Sequence, residues 1–203
     1  KKKDLMYFRP GVHDFKGDSI HIASGKTVFI DNGAVIKGWL STYGSRDVKI
    51  LGHGIVMPGH HEGIMVRYSK NVYIDGPLTT QLPIGGSDSV TVKNAKVMSW
   101  YGWGDGFNIF ASNNIYQEHL FARTSDDCST IYCTLDKVHK KESVIVCVRG
   151  APANAIMMNG AGFHLHNTFS MLLLLPVLQI LHRMLILKQI NQVQLPFQQM
   201  LNS

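Results

Sequence analysis

The sequence predicts an all-β protein, a right-handed single-stranded parallel β-helix, and three observations carry that prediction. Short β-rich phrases recur at intervals of roughly one coil. Gly, Asn, Asp and Ser separate them, as turns require. Helical periodicity is absent before residue 150, so no helices alternate with the strands as a βαβ fold would need.

The phrases run in order along the chain. Ser19–Ile22, Thr27–Ile30 and Ala34–Lys37 come first. A more regular phrase follows at Asp47–Gly52, Asn71–Gly76 and Ser89–Asn94, continued by Asn114–Tyr116 and Ser143–Val146. Taking Val48, Val72, Val90, Ile115 and Val144 as equivalent gives spacings of 24, 18, 25 and 29 residues. A unit of one or two short strands cannot bury its own apolar face, but stacked units share a core. Asn32-Gly33 is the one clear hairpin dipeptide, so an antiparallel sandwich or barrel is the lesser alternative. Stacked coils of irregular length project loops from one side, and that side suits an extended polymer.

Composition sets outer bounds. The 203 residues are 45% hydrophobic, enough for a core and incompatible with whole-chain disorder. The net charge of +6 comes without an RNA- or DNA-binding signature, so no nucleic-acid partner is expected. Three cysteines, Cys128, Cys133 and Cys147, cannot close a disulfide framework and contain no CxxC pair. Lys1-Lys2-Lys3 leads into no apolar run, so the start is not a signal peptide.

The composition changes near residue 150. All 14 acidic residues precede it, every glycine lies at or before Gly162, and six of the eight glutamines fall between Gln179 and Gln199. Residues 1–150 are therefore expected to form the β-helix domain, in part only. Residues 151–203 read either as an atypical, helical tail or as sequence not native to the domain. Met171–Leu175 and Val177–Leu187 are strongly apolar, but Pro176 and Arg183 interrupt them, which favours a buried or amphipathic helix over a membrane span.

One stretch concentrates chemistry: Trp100-Tyr101-Gly102-Trp103-Gly104-Asp105-Gly106, then Arg123-Thr124-Ser125-Asp126-Asp127-Cys128. Asp105 lies 21 and 22 residues before Asp126 and Asp127, about one coil by the repeat spacing. Stacked coils lie about 4.8 Å apart, so the three carboxylates should meet in one patch. Crowded carboxylates cannot all ionise easily, and one then holds a proton near neutral pH. That group can protonate a glycosidic oxygen while a neighbour activates water. Calcium also takes oxygen sets of this kind. The aromatics Trp100, Tyr101 and Trp103 beside the acids favour sugar chemistry, with a structural role in capping a coil as the alternative. Taken singly, Asp105-Gly106 and Asp126-Asp127 are ordinary turn dipeptides.

With those residues in view, the chain resembles the polygalacturonase family of glycoside hydrolases, in the pectin lyase-like β-helix clan. Gly104-Asp105-Gly106, Ser112-Asn113-Asn114-Ile115 and Asp126-Asp127-Cys128 are similar to that family's Asn-Thr-Asp-Gly and Asp-Asp-Cys motifs, at the family's spacing. Pro10–His13, Val28–Ile30, Gly33–Gly38 and Gly52–Val56 are similar to that clan and to the dextranase and isopullulanase family. The resemblance spans roughly residues 7–150. It implies a secreted enzyme that hydrolyses a polysaccharide with inversion and without a cofactor or metal. Asp126 would be the general acid, and Asp127 with Asp105 would activate water. Trp100, Tyr101, Trp103, Arg123 and His164 would bind substrate.

The chain also departs from the family. Trp103-Gly104 replaces Asn-Thr before Asp105, and Val148-Arg149-Gly150 stands where a Gly-His-Gly motif is expected. His164 is a displaced substitute for that histidine. Gly52-His53-Gly54 has the letters but belongs to the strand repeat. The Arg-Ile-Lys motif that grips a uronic acid is absent, so the resemblance does not settle the sugar. The competing reading is a non-catalytic β-helix that binds glycan or serves as a structural module.

Overall fold

The fold is known from a computed structural model that describes residues 4–59, 62–132, 136–147, 157–159 and 168–174. It is all-β among those residues, a parallel β-solenoid of about six turns. The first coils hold β1 (Leu5–Phe8) and β2 (Gly11–His21), then β3 (Thr27–Ile30) and β4 (Ala34–Ser41). The next holds β5 (Arg46–Leu51), β6 (Ile55–Val56) and β7 (Ile64–Arg67), followed by β8 (Lys70–Asp75), β9 (Leu78–Thr79) and β10 (Ile84–Gly85). Above these come β11 (Asp88–Lys93), β12 (Lys96–Met98) and β13 (Phe107–Phe110), then β14 (Asn113–Glu118), β15 (Phe121–Thr124) and β16 (Ser129–Tyr132). Last come β17 (Asp136–Cys147), β18 (Met157–Asn159) and β19 (Thr168–Leu174).

The strands stack into three faces. β5, β8, β11 and β14 form the first, in parallel register. β6, β9, β12 and β15 form the second. β7, β10, β13, β16 and β18 form the third. Inward-pointing residues line up from coil to coil: Val48, Val72, Val90 and Ile115 on the first face, and Val66, Ile84, Ile109 and Ile131 on the third. All of these are buried in one apolar core. The period-2 alternation of each short strand feeds this core, and the stacking neighbour supplies the contact that a single coil lacks.

The turn residues form columns of their own. Asp47, Asn71, Ser89 and Asn114 each stand one residue before the core valine or isoleucine, and all adopt left-handed φ of 53–58°. Short polar side chains tolerate that conformation best. They also bond along the column: Asn71 Nδ2 donates to Asp47 Oδ1 at 2.6 Å, and Asn114 Nδ2 to Asp88 Oδ1 at 2.8 Å. At the corner from the third face to the first, Ser69, Ser87 and Ser112 form a buried ladder. Ser69 N–H donates to Ser87 Oγ and Ser87 N–H to Ser112 Oγ, both at 3.1 Å. These serines satisfy backbone donors inside the corner, which buried turns require.

Three local expectations change. Asn32-Gly33 makes a corner, not a hairpin: β3 pairs in parallel with β1 and β5, and β4 with β2, β6 and β7. The partner of Ile115 is Val138, while Val144 pairs with Phe121 on the second face. The apolar Ser143–Val146 outweighs the lysine-rich segment around Val138 in a sequence pattern, and β17 rounds its corner as one continuous strand. Residues 171–174, expected to start a helix, extend in β19 beside β17. A short apolar run does not distinguish helix from strand by periodicity. Residues 175–203 of the expected tail lie outside the described residues, and among those described no helix is long and apolar enough to cross a membrane.

Candidate active site

The longer loops join the second face to the third. Asp105 ends the loop between β12 and β13, and Asp126 and Asp127 lie one coil on, between β15 and β16. Backbone bonds fix their stacking: Gly106 N–H donates to Asp127 O at 2.9 Å, Phe107 N–H to Cys128 O at 3.0 Å and Asp126 N–H to Gly104 O at 3.3 Å. Extending the β13–β16 register by two residues from Phe107 and Ser129 sets Asp105 beside Asp127. The close approach depends on Gly106, where a Cβ would lie 2.1 Å from the Cys128 carbonyl oxygen.

Electrostatics tie the three acids together. Asp105 is half-buried, and loss of hydration pushes its carboxyl above the usual aspartate range. Asn108 opposes this by donating from Nδ2 to Asp105 Oδ2 at 2.6 Å. The negative charges of Asp126 and Asp127 push the same way as burial, and the Asp127 backbone N–H pulls back. Asp126 accepts that neighbouring N–H through Oδ1 at 2.9 Å. Asp127 itself is only 6% exposed. Among the described residues no group of three or more His, Cys, Asp or Glu has a metal-holding arrangement.

Around the acids the loop is pinned from both sides. Below it, Gln81 Nε2 donates to Tyr101 Oη at 3.1 Å and to Trp103 O at 2.8 Å. Above it, Ser125 Oγ donates to Tyr101 O, and within the loop Ser99 Oγ donates to Gly104 O. Thr124 Oγ1 donates to Asp126 O at 2.7 Å and lies 3.0 Å from Cys128 Sγ.

Of the aromatics, Trp103 is 87% exposed and Trp100 52%, while Tyr101 is half-buried and meets Trp100 edge-on at 5.9 Å. Arg123 is exposed on β15 of the second face, in register with Met98. His164 lies outside the described residues. Gly52-His53-Gly54 sits at the corner after β5, with His53 Nδ1 3.4 Å from Gly76 O, two coils and more from the acids.

Asn108, Gln81 and Ser125 were not singled out from sequence. Asn108 follows Asp105 by three residues and is only 4% exposed; among the described residues its Oδ1 has no hydrogen-bond partner. A polar residue between Phe107 and Ile109, in an otherwise apolar strand, was the available signal. Gln81 and Ser125 gave none, because their partners lie about a coil away.

No protein-family model matches the chain, and no curated protein matches it. Among solved structures, a candidate glycosyl hydrolase from Parabacteroides merdae is similar over 85% of this chain and 80% of its own, at 14% identity and a TM-score of 0.47.

Proposed function

We propose that the protein hydrolyses glycosidic bonds of a polysaccharide, with inversion, through Asp105, Asp126 and Asp127. The observation that carries this reading is the stacking of Asp105 beside Asp127 with Asp126 adjacent, close enough for both charges to raise Asp105. A carboxyl raised above its usual range with further carboxyls beside it is the arrangement acid–base cleavage of an acetal needs. Exposed Trp103 beside the acids supplies a face for a sugar ring.

The proton's place has two readings. The family resemblance assigns the donor's role to Asp126 and water activation to Asp127 and Asp105. Burial and two acidic neighbours raise Asp105 above its usual range, which supports Asp105 as the alternative donor. Coupled acids titrate together, so the pair of variants rather than one titration separates the readings. The test is release of reducing ends from acidic and neutral polysaccharides by the wild type, Asp105→Asn and Asp126→Asn. Loss of one proton donor should lower the rate by about 10²–10⁴-fold. The variant that loses the alkaline fall of the pH–rate curve marks the donor. Equal release by variants and wild type would overturn the assignment of the chemistry to these aspartates, and no release by the wild type from any substrate would leave a glycan-binding module.

A further inference from the structure

A cavity of about 390 Å³ is lined by none of the three acids. Its walls come from parts of the chain far apart in sequence: Asp14 and Lys16 of β2, Lys37 of β4, Met57 and Pro58 after β6, and Trp100. Between Asp14 and Ser19 the β2–β4 register slips, and Lys16 adopts a left-handed φ of 55°. This bulged segment contributes Asp14, Lys16 and Gly17 to the lining.

The lining divides into two kinds of surface. Trp100, Met57, Pro58 and Val35 give an apolar floor and wall. Asp14, Lys16 and Lys37 give a polar edge: Asp14 Oδ1 accepts the Lys16 N–H at 2.8 Å, and Asp14 Oδ2 lies 4.0 Å from Lys37 Nζ. The Asp14 and Lys37 side chains are more than half exposed, so each keeps hydrogen-bonding capacity toward a ligand. A pyranose has matching surfaces, a C–H face for an indole and a rim of hydroxyls for a carboxylate and ammoniums. The volume falls in the range of small-ligand sites, about 300–1,000 Å³. Trp100 is braced edge-on against Tyr101, which Gln81 holds in turn. Its indole is thereby positioned in advance, which lowers the ordering cost of binding.

We infer that this cavity is a second saccharide site, one sugar unit stacked on Trp100 with its hydroxyls on Asp14 and Lys37. It extends the proposed function, on which it rests for the ligand class, by placing a binding site apart from the cleaving acids. A chain held there is tethered to the protein five residues from Asp105 along the Trp100–Asp105 loop.

The test titrates an Asp105→Asn, Asp126→Asn chain, which should not consume ligand, with a hexamer of α-1,4-linked galacturonate and one of α-1,6-linked glucose. Amide shifts are followed by NMR. Binding of either hexamer should move the amides of Gly17, Lys37 and Gly59 and the Trp100 indole N–H. Adding Trp100→Ala should weaken that response about tenfold, as loss of a stacking face implies. Lys37→Ala, at an exposed position that leaves the fold intact, should weaken it as well. No response at those amides with either hexamer, or a response unchanged by both substitutions, would overturn the second site. Trp100-dependent binding without reducing-end release by the wild type would leave the second site standing and remove the hydrolytic reading. Release by the wild type without that binding would do the reverse.

Discussion

Substituting Gly106 by alanine tests how the coils bring the acids together. A Cβ there would lie 2.1 Å from Cys128 O, 3.0 Å from Cys128 C and 3.2 Å from Thr124 Cγ2. An ordinary C···O approach is roughly 3.3 Å, so the coils must part locally by about 1.2 Å. That lengthens the bonds from Gly106 N–H to Asp127 O and from Phe107 N–H to Cys128 O, now 2.9 and 3.0 Å, beyond useful range. Each contributes about 0.5–1.5 kcal/mol net, and forced overpacking adds about 1–3 kcal/mol. Gly106→Ala should therefore destabilise by about 2–6 kcal/mol. At an m-value of about 1–3 kcal/mol/M, the urea midpoint should fall by about 0.7 M or more with m unchanged. Gly102→Ala is the control: its Cβ meets nothing within 4 Å, and its effect should stay within about 0.5 kcal/mol. A Gly106→Ala chain as stable as the Gly102→Ala chain would refute the tight stacking of Asp105 on the coil of Asp127.

Two further predictions address the acid and the corner. Because burial and its acidic neighbours raise Asp105 in the folded chain, the folded state binds more protons than the unfolded state between the ordinary aspartate value of 3.8 and the raised one. Stability contributed by the protonated carboxyl is thus lost as pH rises through the raised value, and Asp105→Asn should gain stability relative to wild type above that window but not below 3.8; urea titrations at acidic and neutral pH check this, and a variant less stable at neutral pH would contradict it. At Asn71, with φ of 55°, a β-branched residue meets the left-handed penalty of about 1–2 kcal/mol and loses the bond to Asp47. Asn71→Val should accordingly cost about 1–3 kcal/mol and Asn71→Gly about 1 kcal/mol or less, read from denaturation midpoints.

The coil repeat was legible because its signal is local and repeated. Val48, Val72 and Val90 announce the core column, and Asp47, Asn71 and Ser89 mark the corner before it. The backbone stacking of the Asp105 segment on that of Asp126 and Asp127 was legible for the same reason, since a one-coil separation becomes adjacency once strands stack. Val144 misled because apolar strength, not register, drew attention to it, and register is set by partners outside the strand. The serines of the corner looked like solvated turn residues; their burial follows from the packing of successive corners. Asn108 and Gln81 act through partners whose identity depends on register. The Trp100 cavity was invisible for a further reason: Asp14, Lys37 and Met57 lie 40 to 90 residues from Trp100, and no residue pattern announces that they line one recess.

The most direct measurement is the anomeric configuration of the first product, followed by proton NMR while wild-type enzyme cleaves a polysaccharide that it accepts. The account predicts that the newly formed reducing end appears first in the configuration opposite to the bond cleaved, and that Asp105→Asn and Asp126→Asn slow its appearance by about 10²–10⁴-fold. A product that first appears with configuration retained, or the same product from both variants, would contradict it.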